Sequence, residues 1–218
     1  MPRPNLHDPV MLEIFLTAFA TLFVAIGPFE AVPIFLALTG RESGAARRRI
    51  ALVASGTATV VLLAFALGGI QLLALLGVGL PAFRTAGGIL LLMVAADLLL
   101  AKHSGVSSIT DEEESEAKQK DGIAVVPLAI PLIAGPGSMT AIVLLMGKAK
   151  TLADGGAVLA AMAAVMLITL LSMLAGDRIM KLLGVTGSNA VARVSGILLA
   201  ALAMQFIFDG LTASGLFR

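Results

Sequence analysis

Residues 12–38 form a nearly continuous apolar run, and five more runs of this kind follow at residues 50–76, 82–100, 123–146, 157–175 and 190–211. Each reaches the roughly 20 residues that a helix rising 1.5 Å per residue needs to cross about 30 Å of hydrocarbon. None alternates with period two, and an open sheet edge cannot satisfy its backbone in lipid, so strands are not expected. Charged residues make up 13% of the chain. A soluble domain carries about a quarter, so too little polar surface remains to cover a water-facing body. The expectation is an all-α polytopic protein with six transmembrane helices, its main partner being the lipid bilayer.

The first run is too long for the apolar part of a cleaved signal peptide and reads as the first span. Between the runs lies most of the charge. Arg41, Arg47, Arg48 and Arg49 follow the first run, Lys102, Lys118 and Lys120 the third, and Arg178, Lys181 and Arg193 the fifth. Arg3, Arg84, Lys148, Lys150 and Arg218 fall on the other side. Lysines and arginines favour the cytoplasmic face, so the first set is read as inside and both termini as outside, in a bacterial inner membrane. The acidic, polar stretch 102–122 reads as a cytoplasmic linker between a first unit, 1–101, and a second, 123–218, of one membrane domain.

What the chain lacks excludes several functions. It has no cysteine, and its two histidines, His7 and His103, lie outside the apolar runs. A thiol nucleophile, a zinc site and an intramembrane metalloenzyme are therefore not expected; nor is any cofactor. No basic patch is interleaved with aromatics, so nucleic acid is not an expected partner. Homo-oligomerisation is left open.

The two units read as copies. Ile26-Gly27-Pro28 recurs 108 residues on as Ala134-Gly135-Pro136, and Gly88-Ile89-Leu90-Leu91 recurs at the same offset as Gly196-Ile197-Leu198-Leu199. Leu75-Leu76-Gly77-Val78 and Leu182-Leu183-Gly184-Val185 match at an offset of 107. Three spans is an odd number, so the second copy must enter the membrane from the opposite side. Two inverted three-helix repeats are an arrangement found in many secondary transporters.

Both Gly-Pro pairs fall near the middle of a span, the first and the fourth. Proline removes a backbone donor, glycine permits the turn, and broken helices in hydrocarbon are tolerated where they face protein or a water-filled cavity. A helix restarting with proline at its first position would leave the amides of Phe29 and Glu30, and of Gly137 and Ser138, to meet an anion. Gly27, Pro28, Gly135, Pro136, Gly137, Ser138 and Thr140 are the candidate substrate-binding residues. The competing reading is a pair of kinks that serve packing alone. Glu30 and Asp97 are the acids well inside the runs and are candidates for proton or ion coupling. Glu30 can instead cap its own helix end, and Asp97 can make a packing hydrogen bond, as can its repeat mate Gln205, a supporting polar residue. The glycines Gly68-Gly69, Gly87-Gly88 and Gly196 read as close helix contacts.

These segments resemble a known family. PFEAVPIFLALT at 28–39 and PLAIPLIAGPG at 127–137 are similar to two signatures of the MarC family of integral membrane proteins. The stretch from Phe83 to Leu91 with Asp97-Leu98 resembles its third-helix pattern, and 193–198 its last-helix pattern. Members often have Asn or Asp where this chain has Gly27, and Gly where it has Glu30. The resemblance implies a six-span fold within the LysE exporter superfamily and kinship with transporters of small neutral amino acids such as glycine and alanine. Secondary transport of such solutes by alternating access, with proton coupling as a further expectation, is the leading reading. The alternative is a non-transporting membrane scaffold or regulator linked to stress or antibiotic resistance.

Overall fold

A computed structural model describes residues 7–39, 42–100 and 125–215, and among these every regular element is helical. In chain order they are α1 (His7–Ile26), α2 (Ala31–Thr39), α3 (Gly44–Leu75), α4 (Leu80–Leu100), the π-helical α5 (Val125–Ile133), α6 (Pro136–Lys148), α7 (Leu152–Leu174) and α8 (Gly176–Ala213). Four are long and apolar enough to cross a membrane: α3, α4, α7 and the Asn189–Ala213 part of α8. Met11–Ile26 adds a shorter apolar helix. The expected linker, 102–122, lies outside the described residues.

Sequence chemistry accounts for the helix ends. Ser43 caps α3 by accepting a hydrogen bond from the Ala46 amide, 3.3 Å. Thr151 and Asp154 form a reciprocal capping box at the start of α7: the Thr151 hydroxyl accepts from the Asp154 amide, and the Asp154 carboxylate accepts from the Thr151 amide, each at 3.1 Å. Orphan amides of a first turn are satisfied this way. Thr151→Ala should therefore lower stability by about 1 kcal/mol, read as a reduced Tm of the detergent-solubilised protein. An unchanged Tm would mean that water caps this turn equally well.

At one end of the bundle Arg47, near the start of α3, joins the two halves of the chain. Its Nη1 donates to both carboxylate oxygens of Asp177 on α8, at 3.1 and 2.9 Å, and its Nη2 donates to the Thr39 carbonyl that ends α2, at 3.3 Å. At the other end Lys148, closing α6, lies 3.7 Å from Asp209 of α8.

The main core is shared by α1, α2, α3, α5, α6 and α7, with Leu22, Phe35, Leu62, Leu128, Ile142 and Met173 fully or almost fully buried. A second core lies between α4, α8 and Leu144 of α6. Lipid tails are as apolar as leucine, so helix association here rests on close packing rather than on removal of apolar surface from water. The α4–α8 contact is the clearest case. A Cβ on Gly88 would lie 2.7 Å from the Ala203 carbonyl oxygen, one on Gly196 3.1 Å from that of Ala95, and one on Gly210 2.8 Å from that of Pro81. These contacts run α4 and α8 antiparallel with their backbones nearly touching. Gly69 and Gly87 are likewise filled by neighbours, Val143 and Thr140. Gly68 is not: open space lies where its side chain would be, which corrects the expectation that it serves packing.

Elsewhere α1 and α2 pack on α7 while α5 and α6 pack on α3, and α1 meets α6 while α2 meets α5. Exchanging the halves turns each of these contacts into another of the set.

Candidate functional site

Both Gly-Pro pairs break their helices, by different means. Gly27 has φ +62, in the left-handed region that favours glycine. Its amide still closes α1 onto the Phe23 carbonyl at 3.1 Å, and its own carbonyl accepts from the amides of Glu30 and Ala31 at 3.0 and 3.1 Å. Pro28 thus lies in a turn and α2 begins only at Ala31. The expectation of a free Glu30 amide after a helix restarting at Pro28 is corrected: the tight turn made possible by Gly27 consumes that donor.

The second break matches the expectation. Gly135 is extended (φ −89, ψ 173), and Pro136 opens α6, whose first bond runs from the Met139 amide to the Gly135 carbonyl at 2.9 Å. The amides of Gly137 and Ser138 belong to the first turn, where a helix offers no internal acceptor. Upstream, α5 is wound as a π-helix, with the Ala134 amide donating to Ala129 five residues back, 2.8 Å. Pro127 and Pro131 lack the donors a regular helix needs, and a widened turn is one way to accommodate them.

The two breaks occupy the same interior. Ile26, Ile133 and Ala134 are buried in one core, and α1 against α6 with α2 against α5 sets the broken segments antiparallel. The polar groups divide between the breaks. At the first, the Glu30 side chain folds back over Gly27. At the second, the Ser138 hydroxyl donates to the carbonyls of Ile133 at 2.8 Å and Gly135 at 3.1 Å, bridging the break. Gly137 faces Leu91 of α4, whose Cδ2 would be 2.8 Å from a Cβ there, and buried Thr140 fills the space beside Gly87. The second break is thus lined by α4 of the first half, while α1 and α2, which flank the first break, both contact α8 of the second.

Other expected site residues lie apart. Asp97 is half-buried near the end of α4, at the level of Ser195, since Ala95 and Leu98 flank Gly196. Gln205 is exposed and donates to Asp209 at 2.7 Å. Nine residues separate it from Gly196, roughly 13 Å along the helix at 1.5 Å per residue. Asp97 and its repeat mate are therefore not neighbours. Leu91 is the residue that sequence reasoning missed: it faces Gly137 at the second break, and a leucine inside an apolar run carries no local signal of that position.

Comparison with known proteins places this architecture. The chain is 36% identical over 200 residues to UPF0056 membrane protein MJ1677 of Methanocaldococcus jannaschii, covering 92% of this chain and 97% of that one. It is 36% identical over 202 residues to UPF0056 membrane protein YvbG of Bacillus subtilis, covering 93% and 96%. A UPF0056 membrane protein of Archaeoglobus fulgidus is 38% identical over 200 residues, covering 92% and 93%. No solved structure matches. The sequence profile of the MarC family integral membrane proteins matches residues 12–214, so the chain belongs to the MarC family.

Proposed function

We propose that this protein is a secondary transporter of small solutes, with small neutral amino acids such as glycine or alanine as the substrate class, working by alternating access. The fold on this reading has six spans: α1–α2, α3, α4, α5–α6, α7 and the long part of α8. The first three and last three form inverted repeats in an inner membrane, both termini outside. The observation that carries the reading is the placement of two helix breaks in one bundle, the second facing α4 of the other half and the first flanked by α1 and α2, which contact α8 of the other half. Discontinuous helices meeting inside a repeat interface are where transporters hold their cargo. The substrate carboxylate would rest on the first-turn amides of α6, at Gly137 and Ser138, with Pro136, Gly135 and Thr140 shaping the cradle and Gly27 and Pro28 facing it. Glu30 and Asp97 are the groups that carry the coupling proton or ion.

A non-transporting scaffold draws support from the closed packing of Gly137 on Leu91 and of Thr140 on Gly87. Purified protein in proteoliposomes separates the two readings. Labelled glycine or alanine should accumulate when a proton gradient is applied, and counterflow should persist when it is collapsed. Vesicles that exchange no solute under either condition would leave only the scaffold.

The proposed orientation makes a separate prediction. A reporter fused at Arg218 should be active only outside, and one placed within 111–122 only in the cytoplasm. A cytoplasmic signal from the C-terminal fusion would invert the assignment.

A further inference from the structure

We infer that the end of the bundle marked by the Arg47–Asp177 pair is a docking surface for anionic phospholipid, where Arg48, Arg49, Arg178 and Lys181 take the headgroup phosphate and Leu182 meets the acyl chains. The inference needs only that the chain lies in a bilayer, and it stands whether or not the protein moves a solute.

The ion pair assembles the surface. Arg47 is in the first turn of α3 and Asp177 in the first turn of α8, and their bonds at 2.9 and 3.1 Å set two basic segments side by side, Arg47-Arg48-Arg49 and 176–183. Gly176 fixes the second segment against α2, since a Cβ there would lie 3.3 Å from both Val32 and Leu36. Asp177 is neutralised by Arg47. Arg48, Arg49, Arg178 and Lys181 are exposed, and among the described residues none of the four has an ion-pair partner. Arginine presents a planar fork that suits phosphate oxygens.

The level of these cations follows from their neighbours. Leu52 and Val53, four residues after Arg48 and Arg49, are 48% and 41% exposed on a helix long and apolar enough to cross a membrane. In a bilayer such side chains face acyl chains, so the guanidinium groups one turn beyond, about 6 Å along the axis, lie at headgroup level. On α8, Arg178, Lys181 and Leu182 have the i, i+3, i+4 spacing of one helix face. Leu182 is 87% exposed. A bare leucine beside two cations suits a helix lying in the interface: the leucine enters the acyl boundary, and the long stems of Arg178 and Lys181 carry their charges up to phosphate. Gly184, at φ +60, turns the chain between this segment and the spanning part, Asn189–Ala213.

The repeat sets this segment apart. By the match of 75–78 with 182–185, residues 176–183 align with 69–76, GIQLLALL, which carries no charge and lies within α3 up to Leu75. Only the second copy holds cations there. The competing occupant is the acidic stretch from Asp111 to Glu116, DEEESE. It matches the cations but has no apolar side chain to cover Leu182.

Native mass spectrometry of the full chain in detergent reads the affinity for phosphatidylglycerol and for phosphatidylcholine with the same acyl chains. Phosphatidylglycerol should bind at least about tenfold more tightly, and Arg178→Gln or Lys181→Gln alone should weaken it by about fivefold, the size expected for one cation at an anionic surface. Arg48→Gln with Arg49→Gln should weaken it further, whereas Lys148→Gln with Lys150→Gln, at the other end, should stay within about twofold of the parent. Leu182→Ser should weaken both lipids, and inorganic phosphate should displace no more lipid than chloride at equal ionic strength. Equal affinities for the two lipids in the parent, or full affinity in Arg178→Gln and Lys181→Gln, would overturn the inference. Displacement by inorganic phosphate beyond that by chloride would make this a site for free anions and overturn it too. Phosphatidylglycerol that binds only after Asp111, Glu112, Glu113, Glu114 and Glu116 are replaced by their amides would assign the surface to the acidic stretch instead. Should the Arg48, Arg49 double variant not fold, the single changes at Arg178 and Lys181 decide alone.

Discussion

Gly88→Ala should destabilise this protein more than any other single-methyl change, and Gly210→Ala should come close to it. The added carbon at residue 88 would lie 2.7 Å from the Ala203 carbonyl oxygen and 3.0 Å from the Ile207 nitrogen; at residue 210 it would meet the Pro81 oxygen at 2.8 Å and the Thr85 nitrogen at 2.9 Å. These are backbone atoms, which cannot rotate away as a side-chain tip can. The helices must separate, and all the close contacts along the α4–α8 seam loosen together. Overpacking a core costs about 1–3 kcal/mol, and the top of that range is expected here because no side chain can yield. The control lies one helix away. Gly56 and Gly68 of α3 have nothing within 4 Å of a would-be Cβ, so alanine there removes only the helix penalty of glycine, worth roughly 1 kcal/mol in favour of the variant. Melting curves of the monodisperse fraction in detergent should thus move in opposite directions for Gly88→Ala and Gly68→Ala. Equal Tm values for the two would show that the α4–α8 seam does not limit stability.

The contrast between Gly68 and Gly69 also marks where a sequence stops being informative. Both glycines lie in the same apolar run, and nothing in their flanks tells which one faces Val143 and which faces open space. The boundaries of α4 and α7 were legible because they coincide with the runs at 82–100 and 157–175. α8 was not: it starts at Gly176, well before the apolar run at 190–211, because the more polar segment around Arg178 and Lys181 stays helical up to Gly184. There φ turns to +60, and the chain kinks before the apolar stretch. The π-helical winding of α5 was hidden as well, since two prolines announce irregular backbone without saying which irregularity is adopted. Among the site residues, the break at Gly27 and the restart at Pro136 could be read from residue type, because positive φ and a missing donor are local properties. The Gly137–Leu91 contact is tertiary: it joins residues far apart in the chain, and only the packing of α6 on α4 creates it.

Gly137→Leu should abolish solute flux while membrane insertion stays normal, since leucine favours the bilayer interior. Two separate effects of that side chain have to be distinguished. Residue 137 is in the first turn of α6, so a leucine there would cover the amides proposed to hold the substrate carboxylate. It would also collide with Leu91, a fully buried residue whose Cδ2 already lies 2.8 Å from the position of a Cβ. Gly137→Ala tests the milder collision: the Leu91 methyl is the end of a flexible side chain and can swing aside, so flux should fall only slightly. The combination of Gly137→Leu with Leu91→Ala separates the two effects. Leu91→Ala opens space on α4, which should return most of the roughly 1–3 kcal/mol lost to overpacking, read as recovery of Tm toward the parent value. The amides of α6 stay covered, so flux should remain absent. Recovery of flux together with Tm would mean that Gly137 is small only to make room for Leu91, and the anion cradle at the second break would have to be abandoned.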